Sequence, residues 1–265
     1  MTSQGRNAVD PDVINRPVYH APGVERHYLD NGIEASEALA LLRVVAAFPH
    51  RDILDIGVGA GRTARYLAPL AARYESVDYS PVMVDYVRRN LPGISVHLGD
   101  MRDLSAFAAD SFDVAFGSSN VIDAVSADDR LRVLAELRRV LRAGGIFLFS
   151  SHNRTYLHAL GGPRLHLSKN PFTQLRNLSR YFVQASNHLK VRRYRREEPE
   201  FALLNDVGHD YSILHYYVDA ATQQRQLERN GFRLVGITDR SPRFVTPEDD
   251  TSASGYLHYI AQKSA

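Results

Sequence analysis

The stretch ILDIGVGAGRT, residues 53 to 63, constrains the fold more than any other part of the chain. A short apolar run ends in glycines at 57, 59 and 61, with Asp55 in front of them, and helical spacing resumes at once in GRTARYLAPLAA. Strand, glycine turn, helix is the reading. Glycine lets the backbone turn sharply and lets a ligand approach where a Cβ would collide, and a following helix start offers free amides. Open parallel sheets bind ligands at the carboxyl ends of their strands, so the turn marks a nucleotide-type site. A dinucleotide loop would need G-x-G-x-x-G, but Arg62 stands where its last glycine would fall, and no Gly-Lys-Ser/Thr follows to make a P-loop.

The same alternation continues downstream. YESVD reads as a second strand, Ser80 as the cap and Pro81 as the first turn of a helix that stops at Pro92-Gly93, and ISVHL as a third strand. FDVAFGSS is a fourth, and IFLFSS a fifth after a helix opened by Ser126 with Leu131, Leu134, Leu137 and Leu141 on one stripe. EASEALALLRVVAAF predicts a helix before the first strand, and DAATQQRQLERNGF a late helix followed by RLVGITD and GYLHYIAQ. Five strands alternating with helices imply a mostly parallel, doubly wound α/β sheet.

Asp55-Ile56-Gly57-Val58-Gly59-Ala60-Gly61 resembles the D/E-x-G-x-G-x-G motif of class I, Rossmann-like S-adenosylmethionine (SAM)-dependent methyltransferases. Further elements resemble that family in order: Asp78 at the end of the second strand, Gly99-Asp100-Met101 after the third, FDVAFGSSNVID at the fourth and LRRVLRAGGIFLFS leading into the fifth. The resemblance covers everything except the two ends and an insertion. It implies a seven-stranded sheet with the last strand antiparallel, SAM as cofactor and S-adenosylhomocysteine (SAH) as product. It also implies a cofactor set of Asp55, Gly57, Gly59, Gly61, Asp78, Tyr79, Met83, Asp100, Met101, Ser118 and Asn120. Asp78 suits the ribose diol because an ionised carboxylate accepts two hydrogen bonds. Asp100 would meet the adenine amine with Met101 on the ring, and Asp55 would act on the sulfonium end or orient loop amides.

Composition excludes other chemistry. The chain has no cysteine, hence no disulfide, thiolate zinc site or thiol nucleophile. Its 32 basic and 30 acidic residues nearly cancel, which argues against a polyanionic partner. The run RRYRR at 192–196 is the one argument for an RNA methyltransferase, countered by Glu197, Glu198 and Glu200. No apolar run suggests a leader or membrane span, so the expectation is a soluble, cytoplasmic protein without a membrane partner, with an oligomer left open.

Regular alternation lapses between 152 and 215. The expected organisation is an N-terminal arm (1–33), loosely ordered and folding over the site; a SAM-binding core (34–151 and 216–265); and an inserted substrate lid (152–215). Methylation of a hydroxyl benefits from a general base, and His is the natural one. His152, just beyond the fifth strand, and His209, Tyr211 and His215 in the insertion are the catalytic candidates. His209 and His215, six residues apart, do not share a helical face, so no metal is expected. These features point to an enzyme methylating a small-molecule or glycan-type acceptor, with oxygen the expected target. The alternatives are the RNA methyltransferase and a SAM-binding regulator without catalysis.

Overall fold

The computed structural model describes residues 9–29, 32–44 and 51–264. Its sheet is built from β1 (Asp52–Ile56), β2 (Arg73–Asp78), β3 (Ser95–Leu98), β4 (Phe112–Gly117) and β5 (Leu141–Asn153), all parallel. Two short strands, β6 (Arg196–Glu197) and β7 (Ala202–Leu204), and β8 (His215–Val218) belong to the inserted region, while β9 (Phe232–Thr238), β10 (Phe244–Val245) and β11 (Tyr256–Lys263) complete the sheet. The order is β10-β9-β11-β5-β4-β1-β2-β3, and β11 runs antiparallel to both β5 and β9. Leaving aside the two-residue edge strand β10, this is the expected seven-stranded sheet with its last strand reversed.

Residues of β1 alternate between the two faces, as a strand buried on both sides must. Leu54 and Ile56 pack with α5 (Ala127–Val140) and α7 (Ala220–Arg229), whereas Ile53 packs with α2 (Ala35–Val44), α3 (Ala64–Leu67) and α4 (Pro81–Asn90). Ser80 caps α4 and Pro81 opens it, as the sequence predicts. On α5 the buried stripe is Arg130, Val133, Leu134, Leu137 and Val140, while Leu131 points outward, 42% exposed. The stripe is therefore one residue out of phase with the expected one at its first turn, because Arg130 is taken inward by a buried carboxylate.

The helix after the glycine turn is shorter than its periodicity suggests. Four residues of α3 give way to a 3-10 turn at Ala68–Leu70, where Pro69 has no N–H to continue the ladder. The helix before β1 is present as α2, and the rest of its expected span, 45 to 48, lies outside the described residues.

Both variable segments hold secondary structure among their described residues. In the arm, α1 (Pro11–Tyr19) starts from an Asp10 cap with Pro at its first position. Asn15 fastens it, donating to the carbonyls of Ala124 and Leu214 and accepting from Leu214 N. Within the arm expected to be loosely ordered, residues Pro11–Tyr19 thus form a helix, while residues 1–8 lie outside the described residues. The insertion contributes α6 (Pro171–Val191) and returns through β7 and β8; β8 lies parallel to the tip of β5, His152 opposite Tyr217.

Candidate active site

At the carboxyl ends of β1, β2, β3 and β4 lies a cleft of about 910 Å³. Gly57 and Gly59 line it with Asp78, Tyr79, Met83, Asp100, Met101 and Ser118. All three motif glycines have positive φ, a backbone region other residues rarely take. Their surroundings differ. A Cβ at Gly59 would meet nothing within 4 Å and would project into open space, whereas one at Gly61 would stand 2.3 Å from Leu91 Cδ1. Gly61 therefore serves loop-to-α4 packing and does not line the cleft.

Asp78 is buried at the floor of the cleft. Its carboxylate accepts from Gly59 N and Ser80 N, both at 2.8 Å, yet burial outweighs these donors and pushes its pKa up to about 6. Asp100 lines the cleft too, but its carboxylate is engaged by the Arg102 guanidinium at 2.6 and 2.9 Å and by Arg16 of α1 at 3.3 Å. An adenine amine would have to share it with two cations. Asp55 lies behind the loop: it accepts from Tyr74 at 2.5 Å and Thr63 at 3.3 Å, while Oδ1 has no partner among the described residues. Burial raises its pKa to about 7. It is not among the residues lining the cleft, and its contacts suit the second expected role, shaping the loop.

Arg62, the residue that spoils a dinucleotide reading, also lines the cleft. It grips the buried Glu37 of α2 with two bonds at 2.6 and 2.8 Å, and Ser118 Oγ donates to the same carboxylate at 2.7 Å. Against its burial, Glu37 is held ionised by this guanidinium. Tyr19 and Tyr28 of the arm close the opposite wall, with Ser80 Oγ donating to the Tyr19 carbonyl at 2.7 Å.

A second, larger pocket of about 1660 Å³ opens between the tip of β5 and the insertion. Asn120, His152, Tyr211 and His215 line it together with Asp206, Tyr217 and Tyr256; His209 does not. The loop Ser118-Ser119-Asn120 joins the two spaces, Ser118 and Ser119 lining the cleft and Asn120 the pocket. Ser119 and Asn120 both have positive φ, at 53° and 57°, a strained pair held in part by the bond from Asn120 N to Ser150 Oγ, 2.8 Å.

His152 has its Nδ1 2.8 Å from the fully buried Asp123, whose carboxylate also accepts from the His152 backbone N–H, Ser151 Oγ and the Arg130 guanidinium. Against burial, Arg130 and then His152 keep Asp123 ionised. This fixes the imidazole and leaves Nε2 toward the pocket, 3.2 Å from Asn120 Nδ2 and 3.9 Å from Asp206. Asp206 accepts from His215 Nδ1, 3.0 Å away, and from the Tyr217 hydroxyl. Against burial, His215 holds that carboxyl well below its usual range, and the carboxylate in turn raises His215.

His152, Asp206 and His215 each bring a potential metal-ligand atom within 4.8 Å of the others, a grouping that sequence spacing does not reveal. The two imidazoles, however, are stacked at 4.4 Å with 24° between planes, so their lone pairs do not converge, and the Asp206 oxygen already accepts two hydrogen bonds. The arrangement is two carboxylate–imidazole pairs face to face.

His209 sits against the arm instead. Its Nε2 is 2.7 Å from the Tyr28 hydroxyl and its ring packs edge-on to Tyr19. Burial, followed by the neighbouring His215 and His27 charges, lowers its pKa to about 4. In the basic run, Arg195 is bound to Asn205 and the Leu160 carbonyl, and Arg196 to Glu198. Asp206 and Tyr217 escaped the sequence reading, and Asp123 entered it only as the last residue of the FDVAFGSSNVID motif. What marks Asp206 and Tyr217 is a position beside β5 that only the return of the insertion creates, whereas Asp123 is drawn in by Arg130, Ser151 and His152.

Residues 53–145 match a family model described as a methyltransferase domain. A probable S-adenosylmethionine-dependent methyltransferase of Mycolicibacterium smegmatis is 36% identical over 104 residues, 39% of either chain. Malonyl-[acyl-carrier protein] O-methyltransferase of Serratia marcescens is 34% identical over 121 residues, 46% of either chain. The chain thus spans less than half the length of these curated relatives. Among solved structures, the CcbJ methyltransferase of Streptomyces caelestis superposes with a TM-score of 0.59 at 18% identity, covering 95% of this chain and 96% of that one. The N-methyltransferase NodS of Bradyrhizobium japonicum, in complex with SAH, gives 0.56 at 15% identity, covering 97% and 100%. At such identities the likeness concerns the fold.

Proposed function

We propose that this chain, whose residues 53–145 are a class I SAM-dependent methyltransferase domain, moves a methyl group from SAM to an oxygen of a small-molecule acceptor held in the insertion pocket. The observation that carries the reading is His152. It is clamped by a buried carboxylate on one nitrogen, and its other nitrogen faces the pocket within reach of the Asn120 side-chain amide, beside the loop shared by pocket and cofactor cleft.

The cleft fits the cofactor. Gly59 leaves open space where a side chain would stand, Asp78 presents a carboxylate suited to a vicinal diol, and Val58, Val77, Met83 and Met101 supply apolar wall for a flat base. Arg62, held by the ionised Glu37, lines the same cleft beside the glycine loop. When bound, SAM supplies an electrophilic methyl on a sulfonium. The protein's part is to hold the acceptor in line, exclude water and take a proton. Acceptor O–H donates to His152 Nε2 as the oxygen gains the methyl, and the resulting imidazolium is stabilised by Asp123, which stays ionised under Arg130. Asn120 and Tyr211 position the acceptor, and the arm with the insertion acts as its cover. The printed name of the Serratia marcescens relative, an O-methyltransferase, supports the same target atom.

The test is to offer SAM with matched hydroxyl- and amine-bearing small molecules, sugars included, reading SAH formation and product mass together. Hydroxyl acceptors should be methylated. Turnover of the amines alone sinks the oxygen assignment, and SAM binding without SAH from any acceptor would leave a non-catalytic binder.

A further inference from the structure

Helix α6 buries only Gln184 and Val191 of its 21 residues. Phe172, Leu175, Phe182 and Leu189 are 84%, 68%, 63% and 59% exposed, and Leu178 and Val183 extend the same patch. At about 100° per residue these six side chains fall within one arc of about 140°, pointing away from the molecule. The opposite face, through Asn177, Tyr181 and Gln184, walls the acceptor pocket. A contiguous apolar surface of this size on one helix needs a cover.

Charge selects the cover. From Arg154 to Arg196 the chain carries ten Lys or Arg and no Asp or Glu. Arg180 is paired with Asp210, but Lys169, Arg176, Lys190 and Arg192 have no ion-pair partner among the described residues. On the same projection Arg176 lies just beyond one edge of the apolar arc and Lys190 lies within it, in line with Phe172. A second copy laid on this face would bring cations against cations, which costs free energy. We propose that α6 docks on an anionic lipid surface, its Phe and Leu side chains entering the headgroup boundary while Arg176 and Lys190 meet lipid phosphates. No helix among the described residues is long and apolar enough to cross a membrane; the contact is parallel to the surface. It sets the acceptor pocket about one helix diameter, roughly 10 Å, from the lipid.

Vesicles of phosphatidylcholine with and without phosphatidylglycerol, sedimented with the full chain at low salt, test this. The chain should bind the anionic vesicles and lose at least about tenfold in bound fraction with 0.5 M salt, with R176E/K190E, and with F172S/L175S/F182S, each variant keeping parental SAH affinity as proof of folding. Equal binding to both vesicles, or binding to neither, overturns the proposal. So does a parental dimer that the Ser variant turns into a monomer while vesicles stay unbound, which would assign the face to a second copy.

Discussion

In the cofactor cleft, contacts come from loops at the ends of consecutive strands, and backbone amides and glycine geometry supply much of the recognition: Asp78 is oriented by Gly59 N and Ser80 N. In the pocket beside the insertion, polar side chains come from positions as far apart as 120, 152, 206 and 217, and they are oriented by other side chains. The first design follows from local sequence and tolerates any acceptor chemistry. The second exists only once the insertion has returned to β5, so substrate choice can change without touching the cofactor. If the two regions are separable in this way, substitutions should divide cleanly between turnover and cofactor affinity.

The largest effect is expected from His152→Ala: kcat should fall about 10²-fold or more, the scale of a lost general base, with SAH affinity unchanged by calorimetry. Parental turnover in this variant would remove the base from the mechanism. Next is Asp78→Ala, expected to weaken SAH binding by about 1.5–3 kcal/mol as the diol loses its acceptor. A variant that binds normally but turns over slowly would erase the division between the regions.

Proton occupancy sharpens the contrast further. Because the free protein's Asp78 titrates near 6, raised by burial, the acceptor-competent carboxylate is present above that value and lost below it. SAH affinity should therefore be flat from pH 8 to 7 and about tenfold weaker by pH 5, while Asp78→Asn should flatten the profile. The smallest effect belongs to His209→Ala. Its bond to Tyr28 holds the arm down, so losing it should cost about 1 kcal/mol of arm closure, visible as faster proteolysis of residues 9–29 in the SAH complex, with kcat within about twofold. A large loss of kcat would return His209 to the catalytic set.

Legibility in the sequence followed the same division. The order of the sheet and the cleft-lining Gly57, Gly59, Asp78, Met83 and Met101 could be read because each sits at a fixed offset from a strand end. Asp55 and Gly61 carried the motif but face packing contacts, a distinction that requires knowing where Tyr74 and Leu91 lie. Among the histidines, type and neighbourhood could not rank His152 above His209. The buried Asp123, pulled into place with Arg130 and Ser151, makes that difference.

One strand carries a disproportionate share of this. Ser150 accepts from the Asn120 amide, Ser151 donates to Asp123, His152 faces the pocket and Asn153 donates to the carbonyls of Thr251 and Ser254, four consecutive residues whose facing depends on register. Their outer neighbours are His258, Leu257 and Tyr256 of β11. During synthesis those residues leave the ribosome after the strand they brace, so the tip of β5 waits on the closure of a long-range pairing. A nascent chain stalled at Gly255 presents β5 as an open, apolar edge, and such a truncation should aggregate on release in a sedimentation assay where the full chain does not. That register is set only once 256–263 have emerged, well after β5 itself, so chaperone demand on β5 should persist until translation has passed this stretch.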